Sequence, residues 1–262
     1  MQISPCVSGG SVLNEAMQRE MPTREPTVAR EHAAWVVADK PAHLLIHPTR
    51  PDGQFTLLEW LKQRYPGEPV AIINRLDRET SGLVLAARTP EAASALGKLT
   101  MRREIAKKYL AIVWGETPES GSVVAPLDRQ GKHRPSVVHL KQAVIEGTYA
   151  ATTHYRRLAV KTGAGGGNFS LLEVELETGR LHQIRVHLSH LGYPVVGDKI
   201  YGPNEMFYLD FIERGWTVEM EKSLLLRRHA LHAASLAFMW NGEPVEIVVP
   251  LSKDLAEFWE KL

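Results

Sequence analysis

Ile72-Ile-Asn-Arg-Leu-Asp-Arg-Glu-Thr-Ser-Gly-Leu-Val-Leu-Ala86 is the stretch whose reading decides the rest of the chain. Two short apolar runs flank it, Val70 to Ile73 and Leu83 to Ala87, and both are strand-like in length and composition. Between them stand Arg75, Asp77, Arg78, Glu79, Thr80, Ser81 and Gly82. A charged centre held between two core strands must have its charges paired, because an unpaired buried charge is costly. Two readings follow. The segment is an ordinary hairpin with a charged turn, or Asp77, flanked by arginines at a strand end, is a reactive or binding group. Spacing alone leaves both open.

The chain has 262 residues, enough for one large domain or two small ones. Hydrophobic residues make up 44% and charged residues 23%, the balance of a soluble globular protein. The single cysteine, Cys6, rules out an internal disulfide and a cysteine-based zinc site, and accords with a cytoplasmic location. No apolar run reaches the roughly 18 residues of a membrane span, and the N-terminus lacks the basic-then-apolar pattern of a secretory leader. The net charge of +1 means that a polyanionic partner would have to be met by basic residues gathered on one face.

Residues 1–30 are weakly periodic and read as a tail or irregular arm, leaving 31–262 as the folded domain. Ala34 to Asp39 reads as a strand stopped by Lys40-Pro41, and Leu44 to His47 as a second short strand. Leu57, Leu58, Leu61 and Tyr65 have helical spacing. Thr89-Pro90-Glu91 is a helix start, with N-cap, proline and first-turn acid in order. Lys107 to Gly115 is a strand, residues 125–141 are a basic loop, and Thr152 to Val160 and Phe169 to Glu177 are strands joined by a glycine run. That run lacks a Gly-Lys-Ser/Thr and is no phosphate loop. Leu181 to Leu191 reads as a helix ended by Gly192, residues 204–226 as an aperiodic surface excursion, and Ser235 to Val249 as a hairpin turning at Asn241-Gly242. Lys253 to Leu262 closes the chain as an amphipathic helix. Strands outnumber helices and several are hairpin-connected, so the expected class is α+β with a mixed, mostly antiparallel sheet and flanking helices.

A second charged cluster is Thr178-Gly-Arg-Leu-His-Gln-Ile-Arg-Val-His-Leu-Ser-His190. On a helix, Arg185 neighbours His182, whereas His182 and His187, five apart, diverge, so no metal site is expected. Burying Ile184, Leu188 and Leu191 brings Arg185 to the burial boundary, where an arginine is best explained by a carboxylate or phosphate partner.

These motifs together resemble the RluA family of RNA pseudouridine synthases. Asn74-Arg-Leu-Asp-Arg-Glu-Thr-Ser-Gly-Leu-Val-Leu85 is similar to that family's His-Arg-Leu-Asp-Arg-x-Thr-Ser-Gly-Leu signature. Asp39 to Pro48, Lys107 to Gly115, and Glu177 to Leu188 with Gly192 to Gly202 resemble its other motifs, in the family's order, and the segment around Leu231 to Phe238 also fits. The resemblance spans about 34–251 and implies a catalytic cleft at the centre of the α+β domain. It further implies isomerisation of specific uridines in ribosomal or transfer RNA, with no cofactor, no metal and no membrane partner, by a monomer. Asp77 maps to the aspartate that attacks the target uridine. Arg185 maps to its salt-bridge partner, Tyr109 to the tyrosine against the extruded base, and Arg75 to the residue that fills the stack or meets phosphate. Arg102, Arg103, Lys107, Lys108 and the basic 129–141 loop are candidates for phosphate contact. Thr80, Ser81 and Gly82 are scaffold, their hydroxyls expected on loop backbone, and Asp198 is expected to stabilise a turn. Asn74 departs from the family's usual histidine. An RNA-binding S4 domain is not expected in the roughly thirty residues before the first strand. Two other functions stay open: a catalytically silent RNA-binding module of the same fold, and a hydrolase pairing Asp77 with Glu79.

Overall fold

The protein is described here from a computed structural model over residues 22, 24–48 and 55–262. Residues 1–21, with Cys6 and most of the expected arm, lie outside the described residues. The centre is β4 (Ser81–Ala87), all seven residues of which are buried. Its run of apolar residues without polar alternation reflects cover on both faces. Leu83, Leu85 and Ala87 point to one face, against Ala92 and Leu96 of α2 (Pro90–Met101). Val84 and Ala86 point to the other, against Leu57 and Leu61 of α1 (Leu57–Arg64). The α2 start is the one its Thr89-Pro90-Glu91 indicates, and α1 lies over the helical spacing of Leu57 to Tyr65. Thr56 and Glu59 form a reciprocal capping box on α1, and Thr89 Oγ1 accepts from Ala92 N at 3.2 Å on α2.

Around β4 the sheet runs in the order β1 (Thr27–Glu31), β2 (Trp35–Lys40), β4, β11 (Leu231–Trp240), β5 (Ala106–Trp114), β10 (Asn168–Leu176), β9 (Thr152–Thr162) and β6 (Ser120–Val124). The short β3 (Ala71–Ile72) adds to β4, and β12 (Glu243–Val248) to β11. Every strand pair is antiparallel except β4 with β11, where Ser81 and Gly82 face His232 and Ala233. This parallel seam joins the two halves of the sheet. It is also where Gly82 is needed: its φ is +110°, and a Cβ there would lie 2.2 Å from the Ala233 carbonyl oxygen. The second half of the sheet packs Ile112, Leu172 and Val174 against Ile184 and Leu188 of α3 (Gln183–His190) and against Leu255 and Trp259 of α6 (Lys253–Lys261).

The α+β class with a mixed, mostly antiparallel sheet is as expected. Four local readings are corrected. Leu44 to His47 is not a strand: only Leu45 bridges, to Thr56, because the Leu44 carbonyl is taken by the Lys40 ammonium. Residues 27–30 belong to edge strand β1, whose mostly exposed side chains give no alternating apolar signal. The 125–141 loop contains β7 (Leu127–Arg129), which pairs with β8 (Gln142–Val144) as a separate two-stranded sheet. The 204–226 excursion is two short helices, α4 (Met206–Arg214) and α5 (Val218–Leu224). Phe207 and Phe211 pack there on Met220 and Leu224, and the break at Gly215 hides both short periodicities from any longer window.

Candidate active site

Between β3 and β4 the chain leaves the sheet and turns, with Thr80 N donating to the Asp77 carbonyl at 3.1 Å. Asn74 anchors the departure. Its Oδ1 accepts from Leu85 N at 2.7 Å and its Nδ2 donates to Leu83 O at 3.4 Å, so a side-chain amide extends the β3–β4 ladder where the main chain swings away. The residues after Asp77 are held from several sides. The Lys40 ammonium, completely buried, donates to the carbonyls of Arg78, Pro41 and Leu44. Glu79 pairs with Lys199 at 2.9 Å and accepts from His229 N, and Arg228 donates to the Glu79 carbonyl. Thr80 Oγ1 lies 2.7 Å from His229 Nε2, and Ser81 Oγ 2.9 Å from His232 Nδ1. The two hydroxyls therefore meet imidazoles across the β4–β11 seam rather than loop backbone, because these side chains point at the neighbouring strand. Such multiple anchoring fixes a reactive group's position before substrate arrives.

Arg185, buried on α3, reaches two carboxylates. Its Nη1 donates to Asp77 Oδ2 at 2.9 Å. Its Nε and Nη2 form a bidentate pair with Asp198 at 2.6 and 2.8 Å. Asp198 Oδ1 also accepts from the backbone N–H groups of Ile200 and Tyr201, so the turn-stabilising role expected for it is present. Its hold on Arg185 was not legible from the sequence. Burial acts to raise the Asp77 carboxyl, but His182, where its ring is protonated at acid pH, and the Arg185 guanidinium outweigh it and hold that carboxyl below its usual value. Both Arg185 Nη1 and, at 3.8 Å, His182 Nε2 lie on Oδ2. No described residue donates a hydrogen bond to Oδ1. Asp77 is thus ionised and, among the described residues, held through Oδ2 alone.

Asp77 lines a cleft of about 450 Å³ shared with Tyr109, Arg75, Arg185 and His182. Tyr109 stands on β5 between Ala233 and Val174, and burial beside Asp77 pushes its phenol up, so the hydroxyl keeps its proton. Arg75 is exposed at the cleft and makes no hydrogen bond or ion pair among the described residues. Arg103 and Lys107 line the same cleft without ion pairs among the described residues, and burial lowers the Lys107 ammonium. The other basic candidates divide. Arg102 is exposed near the same helix end, whereas Lys108 is taken by Glu173 and Glu175. In the 129–141 loop, Lys132 and His133 are held by Asp128, and Lys141 by Glu205. Among the described residues no three His, Cys, Asp or Glu side chains converge as a metal site. His182 meets Tyr201 Oη, and His187 meets Thr153 Oγ1 and the Ala125 carbonyl.

The sequence profile described as RNA pseudouridylate synthase matches residues 34–190. The chain belongs to this family. An uncharacterized RNA pseudouridine synthase of Chloroflexus aurantiacus is 40% identical over 225 residues, 83% of this chain and 63% of that one. The ribosomal large subunit pseudouridine synthase D of Xanthomonas campestris is 37% identical over 239 residues, 87% of this chain and 66% of that one. The chain therefore spans slightly under two thirds of these relatives. Human RNA pseudouridylate synthase domain containing 4 superposes with a TM-score of 0.69 at 25% identity, covering 96% of this chain and 95% of that one. The matched span of this chain holds Asp77, Tyr109 and Arg185 but ends short of Asp198, so one partner of Arg185 lies beyond it.

The hydrolase alternative lacks its second acid. A glycosidase needs one carboxyl protonated. Although burial opposes it, Lys199, with a hydrogen bond from His229, keeps Glu79 well below its usual value.

Proposed function

We propose that this chain isomerises specific uridines in RNA to pseudouridine, with Asp77 as the reactive carboxylate. The observation that carries the reading is the asymmetric anchoring of Asp77: Oδ2 is held by Arg185 while no described residue donates to Oδ1, and Asp77 lines a cleft with room for one extruded nucleoside. In the reaction the N1–C1′ glycosidic bond breaks, the uracil turns, and a C5–C1′ bond forms. C5 gives up its proton and N1 gains one, so no external oxidant, reductant or nucleotide cofactor is consumed. Asp77 must be ionised, which the Arg185 pair provides, and shielded from water, which the half-buried loop begins and a bound nucleoside completes. Tyr109 supplies an aromatic wall and a protonated hydroxyl for the base, and Arg75 is placed to fill the vacated stack or meet phosphate. Arg103 and Lys107 add positive charge at the mouth for the flanking backbone. Ribosomal RNA is the substrate class, supported by the names of the large-subunit enzymes among its relatives.

The test is pseudouridine mapping in ribosomal and transfer RNA incubated with the protein and with Asp77→Asn. The expected result is new pseudouridine with the parent protein and none with the variant, which still binds RNA. Binding without turnover by the parent would identify a silent binding module, and release of free uracil would identify a hydrolase. Modification confined to transfer RNA would overturn the substrate class alone.

A further inference from the structure

His182 is a cleft residue beside Asp77 to which no role has been given. It stands at the residue before α3 with φ +57°, a left-handed conformation that few non-glycine residues adopt, and its side chain is almost fully buried. Its ring lies edge-on to Tyr201, with Nδ1 2.8 Å from Tyr201 Oη. The direction of that bond can be worked out. The backbone N–H of Gln142 donates to Tyr201 Oη at 2.8 Å, which occupies one of the phenol's lone pairs. Burial pushes the Tyr201 hydroxyl up, so it keeps its proton, and His182 Nδ1 is the acceptor in reach of that proton. Burial and the Arg185 charge also bring the His182 imidazole down to about 4, so it is neutral near pH 7. A neutral ring that accepts at Nδ1 carries its proton on Nε2. Nε2 is the atom 3.8 Å from Asp77 Oδ2.

We infer that His182, its tautomer set by the Gln142–Tyr201–His182 chain, is a positioning residue whose Nε2–H joins Arg185 on Asp77 Oδ2 and so directs Oδ1 at the uridine. At 3.8 Å the contact is a near approach in the free protein, and it closes to a hydrogen bond when a nucleoside fills the cleft. With two donors on one oxygen the carboxylate cannot rotate to exchange its oxygens, and charge is retained on it as water leaves. Arg185 alone cannot do this, because two of its three donor nitrogens are committed to Asp198. The groups around Asp77 are Arg185 and His182 from α3 and its start, His229 from the approach to β11, Tyr109 from β5, Lys40 from β2 and Tyr201. Of these, only Arg185 and His182 are within 4 Å of the carboxylate as ionic or donor partners among the described residues.

The inference rests on Asp77 being the reactive group, and two amide substitutions test it. In His182→Gln the amide nitrogen falls near the position of Nε2; in His182→Asn it falls near Nδ1, and asparagine tolerates the left-handed backbone. If the inference holds, His182→Asn lowers kcat roughly 10- to 100-fold with RNA affinity unchanged, and His182→Gln recovers most of that loss. The acid limb of the kcat profile moves to higher pH in His182→Asn, because Asp77 has lost a donor. Tyr201→Phe leaves His182 in place but frees its tautomer, so it shows the same limb shift with a smaller kcat loss, and it covers the case in which position 182 tolerates no substitution. The inference is overturned if His182→Asn matches the parent, if Asn rescues better than Gln, or if the acid limb is unmoved in Tyr201→Phe. Activity in Asp77→Asn would instead overturn the assignment of Asp77.

Discussion

Replacing Asn74 by alanine removes the acceptor of a buried backbone donor, and the cost can be worked from the structure. Leu85 N donates to Asn74 Oδ1 at 2.7 Å, and Leu85 is fully buried, so no water can take the bond. The second contact, Nδ2 to Leu83 O at 3.4 Å, is long and adds little. A buried donor left unsatisfied costs about 1–3 kcal/mol, so Asn74→Ala is expected to destabilise by ~2 kcal/mol. For a chain of this size that lowers the unfolding temperature by about 4–8 °C. The same change frees the start of the loop that carries Asp77, so kcat falls at temperatures where the variant is still folded. Histidine, the usual residue at this place in RluA-type sequences, can accept through a ring nitrogen, and Asn74→His should recover most of the stability and turnover. Urea and thermal unfolding of both variants, with pseudouridine formation measured alongside, check this. An unchanged midpoint in Asn74→Ala, or a histidine variant as damaged as the alanine one, would refute the ladder-extension account.

Gly82→Ala places a methyl group 2.2 Å from the Ala233 carbonyl at a positive φ, so the β4–β11 seam must open and soluble folded protein is expected to be lost or strongly reduced, as seen by circular dichroism. Lys40→Met leaves the carbonyls of Pro41, Leu44 and Arg78 without their buried donor, and a loss of about 3 kcal/mol or more is expected in urea unfolding. Arg103→Ala and Lys107→Ala should each lower RNA affinity and flatten the dependence of log K on log salt by about 0.7–0.9, measured by filter binding from low to physiological salt. Asp77, Glu79 and Asp198 are all held below their ordinary carboxyl values, so their pairing stabilises the folded state fully above the unfolded values. That stability is lost as pH falls through roughly 4 and below, where the unfolded chain takes up protons first; buried His182, held down to about 4, adds an earlier loss below about 6.5, so acid titration of the unfolding temperature should show a decline that begins below about 6.5 and steepens near 4.

The local segments were legible because their signals are local. The apolar spacing of α1, the capped start of α2, the Asn241-Gly242 hairpin and the apolar run of β4 each state their structure within a dozen residues. Residues 204–226 and the 125–141 segment were not legible, since a seven-residue helix and a three-residue strand are shorter than the period needed to reveal them. Within the site, Asp77 stands out as a charge between core strands, whereas the sequence presents His182 only as a possible metal ligand and Asp198 only as a turn residue. Both act through a partner on another segment, and no spacing within either segment encodes that partner.

The sequence by itself determined which side chains the site can use and, through its ordered motifs, the family to which the chain belongs. The tertiary structure decided how those side chains are used. It brought Arg185 to Asp77 across 108 residues, divided the guanidinium between two carboxylates, and set the loop beyond Asp77 against imidazoles from across the parallel seam. The physical reason is the range of the forces. Capping, turn geometry and apolar periodicity act between near neighbours in the chain. The pairing of buried charges is satisfied only by whatever the completed sheet places within about 3 Å, the reach of a hydrogen bond.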